Sequence, residues 1–122
     1  MSGLKYRLTK LADADIEEIL AYTDRRFGPQ QFVAYQRLLE HACQLVGEDP
    51  MRPGSKTRDE LGQSVRSFHL DIAARRKGAA SHVLYYLPRD LEDGMRAAVI
   101  LRVLWDGMEP RARVAWSLDE LE

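Results

Sequence analysis

Residues 96–104 read RAAVILRVL, and this stretch decides the fold. Its side chains are apolar at both odd and even positions, which is typical of a strand that is covered on both faces. Two earlier runs are also typical of strands: residues 66–72 alternate polar and apolar side chains, and residues 81–87 read SHVLYYL. A basic turn at 73–80 and a turn with Pro, Asp and Gly at 88–94 separate the three runs. We therefore predict a three-stranded antiparallel meander.

The first half of the chain has the periodicity of helices. Apolar side chains recur every three or four residues over 10–27 and again over 29–46. Gly28 and Pro29 separate the two stripes, because glycine tolerates the left-handed end of one helix and proline suits the first turn of the next. The two stripes, residues 10–47 in all, therefore predict an antiparallel helical hairpin.

The remaining segments carry weaker signals. Within residues 1–9, apolar side chains at 4, 6 and 8 alternate with polar ones, which predicts a short N-terminal strand. Pro and Gly residues mark 48–64 as a loop, and 105–122 is predicted to be a C-terminal tail whose acidic end can fray. Residues 65–104 then supply the rest of the sheet. The order β, α, α, β, β, β indicates an α+β fold, in which two helices lie on a small sheet.

Length and composition limit the class of protein. The 122 residues fit a single domain, 1–122. A net charge of -1 argues against a polybasic protein that coats nucleic acid, and we expect no direct sequence-specific nucleic-acid binding. No apolar run approaches the ~20 residues that span a bilayer, and no signal peptide opens the chain. The single cysteine, Cys43, suits a reducing compartment, so we expect a cytoplasmic protein without a membrane segment.

The charges are unevenly distributed along the chain. Residues 51–104 carry 10 basic and 6 acidic side chains, a balance of +4, whereas the segments on either side are acidic. Such a distribution can steer one face toward an anionic partner. A solvated surface of mixed sign gives the same pattern, and the sequence leaves both interpretations open.

Few residues have the spacing that metal, cofactor or nucleophile chemistry requires. His41, His69 and His82 never fall four residues apart, and one cysteine supplies no CxxC pair, so we expect no metal site. Cys43 lies beside an apolar stripe, where a small buried thiol is the usual explanation. The eight glycines form neither GxG nor GxxxxGK, so we expect no cofactor. The four acids within 13–18 suit the positive end of a helix better than acid–base catalysis.

A basic and aromatic set remains as the candidate site. Arg66 and Arg102 lie inside predicted strands, where burying a charge is costly unless it has a partner. They either end at the sheet edge or pair with a carboxylate such as Asp71 or Glu60, or they contact a phosphate or an acidic protein surface. The sequence leaves these alternatives open. The whole set consists of Arg66, Arg75, Arg76, Lys77, Arg102, Tyr85 and Tyr86.

Short motifs follow one another in the order of a known family. Residues 12–22 carry the pattern A-x-x-D-(L/I)-x-x-I-x-x-Y, and Phe27-Gly28 comes after it. The further matching segments are a Pro- and Gly-containing loop, three strands and a Met-Glu-Pro turn, at residues 49–54, 65–68, 82–86, 99–104 and 108–110. On these motifs, which span roughly residues 4–112, the chain resembles the ParE/RelE superfamily of toxins from type II toxin–antitoxin modules, and most closely the ParE branch.

The resemblance implies a toxin that a small antitoxin neutralises, in a module of the plasmid-stabilization kind. ParE-type toxins are taken to inhibit DNA gyrase, whereas RelE-type relatives cut mRNA in the ribosome. Trp105 stands where relatives often have His, and no tyrosine follows Tyr86, so no acid–base pair is evident. We therefore expect a binding toxin without catalytic residues rather than an enzyme. The alternatives are a non-toxic member of the family and a ribosome-dependent ribonuclease that uses Arg76, Lys77 and Tyr85 or Tyr86.

The resemblance also implies a ParD-like antitoxin as the partner. We expect it to place an amphipathic helix on the hairpin and to add an extended segment to the sheet. Trp105 and Trp116 either plug the core or anchor an interface, and burial is favoured for Trp105 because it directly follows an apolar strand. The expected partner-binding residues, for antitoxin or gyrase, are Arg66, Arg75, Arg76, Lys77, Arg102, Trp105 and Met108.

Overall fold

The structure is a computed structural model that describes residues 5–90 and 94–121. Over these residues the elements follow in the order β1 (Tyr6–Leu8), α1 (Lys10–Phe27), α2 (Pro29–Glu48), β2 (Lys56–Thr57), β3 (Arg66–His69), α3 (Leu70–Ala74), β4 (His82–Asp90), β5 (Arg96–Trp105) and α4 (Arg111–Glu120). The α+β class is confirmed. In the described part of the chain, no helix combines the length and the apolar character that crossing a membrane requires.

The strands form one mixed sheet in the order β1-β5-β4-β3-β2. β1 pairs with β5 in parallel, with Tyr6 opposite Ala98, and the other neighbouring strands are antiparallel. Residues 97–104 of β5 are all buried, as expected of a strand covered on both faces. The predicted meander of β3, β4 and β5 is confirmed. β2 is an additional short strand within residues 48–64, which were predicted to be a loop.

α1 and α2 form the predicted hairpin. The Thr9 hydroxyl caps α1 by accepting a hydrogen bond from Ala12 N at 3.1 Å. Gly28 ends α1 with a φ of 91°, a left-handed value that favours glycine, and Pro29 begins α2. The apolar stripes of both helices pack around Phe68 and its neighbours on one face of the sheet.

β3 is shorter than the alternation over 66–72 predicts. The strand covers Arg66–His69, and Leu70–Ala74 turn into α3. The His69 ring accepts a hydrogen bond from Asp71 N at Nδ1, 3.0 Å away, and this side-chain cap begins the helix. The strand prediction over 70–72 is therefore wrong.

α4 covers the opposite face of the sheet. Val114 packs into a second apolar cluster with Leu101, and the Ser117 hydroxyl donates a hydrogen bond to Leu101 O at 2.7 Å. The C-terminal tail therefore contains a helix over Arg111–Glu120 that the sequence did not predict, because this segment has a second sheet face to cover. The two layers together explain why β5 is apolar at both odd and even positions.

Candidate functional site

An open groove runs between the helical hairpin and the segment that leads into β4. Its volume is about 990 Å³. Three aromatic side chains that line it are more than half exposed: Tyr22 at 56%, Phe27 at 61% and Trp105 at 53%. We call it the aromatic groove and define it by these three residues with Tyr35 and His82. Exposed apolar patches of this kind mark interaction sites, so the groove is the candidate functional site.

Trp105 lies in the aromatic groove because the turn after β5 makes room for its ring. A Cβ added at Gly107 would lie 2.5 Å from Trp105 Cη2, so the indole occupies the space that another side chain would need. Met108 N donates to Trp105 O at 2.9 Å and closes the turn. The interpretation of Trp105 as a core plug is therefore wrong. It is also wrong for Trp116, which is 60% exposed on α4.

Tyr35 of α2 and His82 of β4 form a polar pair within the groove. The Tyr35 hydroxyl oxygen lies 2.6 Å from His82 Nδ1, and the rings meet edge to face with centroids 5.5 Å apart. Burial lowers the pKa of His82, against an opposing contribution from Asp106, so the ring is neutral near pH 7. Ser81 N donates to the Tyr35 oxygen at 3.3 Å. The direction of the Tyr35–His82 hydrogen bond depends on the tautomer of the imidazole ring.

The turn between α3 and β4 carries three exposed cations at 75–77, here called the basic turn. The Asp71 carboxylate holds it in place: Oδ2 accepts from Gly78 N at 2.8 Å, and Oδ1 accepts from Ala80 N at 2.7 Å. The hydrogen bond from Gly78 is the main reason that the pKa of Asp71 lies below its usual value. The basic turn leads directly into residues 79–82, which line the aromatic groove.

His69 ties this region to the end of β5. His69 Nε2 and Asp106 Oδ2 are 3.0 Å apart, while Nδ1 of the same ring caps α3. Asp106 N also donates to Ser81 O at 2.8 Å. These short polar contacts join the end of β3 and the segment before β4 to the turn after β5.

Arg102 forms a buried ion pair with Asp15. Its Nε donates to Asp15 Oδ2 at 2.8 Å and its Nη2 to Oδ1 at 2.7 Å, and each side chain is only 10% exposed. The hydrogen-bonded carboxylate raises the pKa of Arg102. Of the alternatives open for Arg102, pairing with a carboxylate is the one observed. The expected partner-binding role of Arg102 is therefore corrected, because its guanidinium group is already paired. The same contact places the Asp15 side chain in the core rather than at a solvated helix end.

Related proteins place the chain in a family. The family model described as "ParE toxin of type II toxin-antitoxin system, parDE" matches residues 6–110. The chain belongs to the ParE toxin family. Toxin ParE1 of Caulobacter vibrioides (strain ATCC 19089 / CIP 103742 / CB 15) is 32% identical over 109 residues, which cover 89% of this chain and 96% of the relative. The protein is thus a toxin of a parDE-type toxin–antitoxin system, and the family implies an antitoxin partner.

The other expected partner-binding residues of the toxin lie in different places. Trp105 lines the aromatic groove, and the basic turn lies shortly before residues 79–82 of the groove wall in the chain. Arg66 is half-buried on β3 and donates from Nη2 to Ser55 Oγ at 2.7 Å. Met108 is half-buried against the apolar cluster beneath α4. Arg66 and Met108 are therefore not part of the aromatic groove.

The tyrosines assigned to the ribonuclease alternative are buried in the toxin. Tyr85 is 4% exposed and lies beneath Arg58, whose guanidinium carbon is 5.5 Å from the ring centroid. Tyr86 is 0% exposed, and its hydroxyl donates to Pro50 O at 2.6 Å. Neither side chain can reach an RNA strand, so this assignment is corrected. The buried-thiol interpretation of Cys43 is confirmed: the residue is 1% exposed, and burial raises its pKa to about 12.

Several groove residues gave no site signal in the sequence. Tyr35 and His82 are 47 positions apart, so only the fold brings them together. Tyr22 completes the family motif on α1, and that motif is the signal that points to it. Asp71 was considered only as a partner for an arginine, whereas its carboxylate organises the backbone of the basic turn.

Proposed function

We propose that this toxin acts by binding DNA gyrase, and that a ParD-like antitoxin neutralises it by covering the aromatic groove and the basic turn. The observation that carries the proposal is the groove lined by three exposed aromatic side chains, whose wall at residues 79–82 follows closely after three exposed cations in the chain. Such a surface suits a protein segment that has an apolar face and acidic side chains. Both partners act in the cytoplasm, and we assign the toxin to that compartment.

Docking of an amphipathic antitoxin helix fits the shape and the charge of this surface. The apolar face of the helix would lie across Tyr22, Phe27 and Trp105, and its acidic side chains would meet the basic turn.

Strand addition is the second contact that we propose for the antitoxin. β1 and β2 are the outermost strands of the sheet. β2 covers only Lys56–Thr57, whereas β1 lies directly beside the long inner strand β5. An extended antitoxin segment would therefore pair with the outer backbone edge of β1, where main-chain hydrogen bonds supply affinity.

The gyrase proposal rests on competition for one surface. If gyrase contacts the aromatic groove, an antitoxin that occupies the groove excludes gyrase without any change in the fold of the toxin. The buried positions of Arg102, Tyr85 and Tyr86 support a binding mode, because they remove these groups from contact with a nucleic-acid substrate.

Induced expression of the toxin tests this proposal, with plasmid supercoiling and mRNA integrity measured in parallel. We expect loss of gyrase-dependent supercoiling, intact mRNA and recovery when the antitoxin is co-expressed. Trp105→Ala should weaken antitoxin binding about tenfold. Trp116→Ala is the matched control, because Trp116 is similarly exposed, on α4. Growth arrest with normal supercoiling would exclude gyrase, and normal growth would indicate a non-toxic member of the family.

An mRNA endonuclease is the second candidate function, and the Tyr35–His82 pair is the observation that favours it. The two side chains lie within hydrogen-bond distance in an open groove, and the chain carries three exposed cations at 75–77, shortly before His82, that can stabilise a phosphate. Cleavage of mRNA in a translation extract that is lost in Tyr35→Phe and in His82→Gln would overturn the gyrase proposal. Intact mRNA in the same extract would remove the endonuclease.

A further inference from the structure

A second basic site lies at the C-terminal end of α2, whereas the aromatic groove uses the N-terminal half of that helix. The loop after α2 is tightly folded: Arg52 N donates to Asp49 O, and Ser55 N donates to Arg52 O, both at 3.1 Å. The Tyr86 hydroxyl fixes the loop to the sheet by donating to Pro50 O at 2.6 Å. The loop therefore presents its side chains at defined positions.

Arg52 and Arg66 meet in this region, and both bond to uncharged groups. Arg66 Nη2 donates to Ser55 Oγ at 2.7 Å, and Ser55 Oγ in turn donates to Arg52 O at 2.6 Å. Arg52 Nη1 donates to Leu45 O at 3.4 Å. The Arg52 guanidinium carbon is 5.8 Å from the ring centroid of Phe68, which lies two residues after Arg66 on the same side of β3. The two guanidinium groups therefore share one side of the strand.

Each of these arginines has a buried donor that lacks an acceptor. Within residues 5–90 and 94–121, neither Nε atom has a hydrogen-bond partner, although both atoms are buried. The ion pairs found over the same residues involve other arginines and His69. Arg102 is the contrast, because Asp15 accepts from both its Nε and its Nη2. A guanidinium group without an acidic partner is costly to hold in a partly buried position, and no carboxylate of the described residues forms an ion pair with Arg52 or Arg66.

Nearby groups define what the site can accept. Asp49 is the neighbouring acid, and its Oδ1 accepts from Met51 N at 3.2 Å. Met51 is 49% exposed and Ile72 is 39% exposed. A Cβ added at Gly54 would lie 3.0 Å from Ile72 Cδ1. The loop and α3 thus carry exposed apolar side chains. Two neighbouring cations suit one carboxylate on a protein surface, whereas a nucleic acid needs a row of cations along its phosphates.

We propose that Arg52 and Arg66 form an oxyanion site that binds a carboxylate side chain of a partner protein. The proposal goes beyond gyrase inhibition and neutralisation at the aromatic groove. It concerns a separate surface, on which the Arg52 and Arg66 guanidinium groups have no anionic partner among the described residues. The carboxylate supplies the negative charge that the fold does not provide, and Met51 and Ile72 add apolar contact around it.

Nuclear magnetic resonance of the arginine Nε–Hε groups tests the site in the full-length, 15N-labelled toxin. Sodium acetate, inorganic phosphate and sodium chloride are titrated in parallel at constant ionic strength. We expect acetate to cause saturable shifts of the Arg52 and Arg66 signals, with the Arg89 signal unmoved. Arg66→Gln should weaken acetate binding about tenfold. Arg89→Gln, at an exposed arginine of β4, is the matched control, and Arg52→Gln serves the same test should Arg66→Gln fail to fold.

The three anions separate the outcomes. Shifts that do not saturate, or that chloride reproduces, overturn the proposal. Phosphate binding about tenfold tighter than acetate assigns the site to phosphate groups and overturns the carboxylate assignment. Because the titration contains neither antitoxin nor gyrase, its failure is distinguishable from failure of the proposed function.

Discussion

Asp15→Ala should strongly destabilise the toxin, because it leaves Arg102 buried as an unpaired cation. Three hydrogen bonds end on the Asp15 carboxylate: two from the Arg102 guanidinium, at 2.8 and 2.7 Å, and one from Val103 N at 3.0 Å. Both side chains are only 10% exposed, so water has little access to replace the carboxylate. Removing one partner of a buried pair costs about 3–5 kcal/mol. For 122 residues this corresponds to a fall in Tm of roughly 12–20 °C.

Denaturant unfolding followed by circular dichroism measures the effect of Asp15→Ala. Asp13→Ala, at an exposed position of the same helix, is the control and should change the unfolding free energy by less than about 1 kcal/mol. A double variant, Asp15→Leu with Arg102→Met, removes both charges and should recover much of the stability. The reasoning is refuted if Asp15→Ala loses less than about 1 kcal/mol, or if the double variant is no more stable than Asp15→Ala.

Three further predictions concern close packing and pH. Gly47→Ala should destabilise the toxin by about 2 kcal/mol, because the new Cβ would lie 2.6 Å from Lys5 O; an unchanged denaturation midpoint contradicts this. Gly107→Ala should displace the Trp105 ring, which its Cβ would approach to 2.5 Å. Calorimetric titration should then show antitoxin binding about tenfold weaker at nearly constant stability, and unaltered affinity contradicts the reasoning. Burial lowers the pKa of His82 below 6.5 in the folded state. As the pH falls, the imidazole is therefore protonated in the unfolded chain before it is protonated in the folded one. Stability should therefore fall as the pH drops through 6.5 toward the lower folded pKa, and His82→Gln should flatten that part of the profile; an unchanged slope contradicts the assignment.

Local periodicity predicted most of the fold because the helices and long strands each present a regular apolar face. The double-sided pattern of residues 97–104 correctly indicated that layers lie on both faces of β5. It did not identify α4 as the second layer, since the stripe from Val114 to Leu118 is short and includes the polar Ser117. α4 is stabilised by packing on the sheet face that it covers and by the hydrogen bond from the Ser117 hydroxyl to Leu101 O. α3 was missed because a histidine side chain, rather than a typical capping residue, begins it.

The candidate site was less predictable, because its contacts are long-range. The cations of the basic turn are contiguous in sequence and were recognised directly. Arg102 and Asp15 are 87 positions apart, so their pairing depends on how α1 lies over β5. Trp105 directly follows a buried strand, and periodicity therefore favoured burial. Because Gly107 has no side chain, the turn has room for the indole, which lies in the groove instead.

The buried ion pair joins the two elements that supply walls of the aromatic groove. Asp15 lies on α1 one turn before Glu18, which lines the groove, and Arg102 lies three residues before Trp105 on β5. The pair therefore joins the two walls that an antitoxin helix would contact. Measured well below the unfolding midpoint, Asp15→Ala should bind the antitoxin more weakly than Asp13→Ala, although neither aspartate lines the groove. If Asp15→Ala unfolds early but binds with unchanged affinity, the pair stabilises the toxin without positioning its groove.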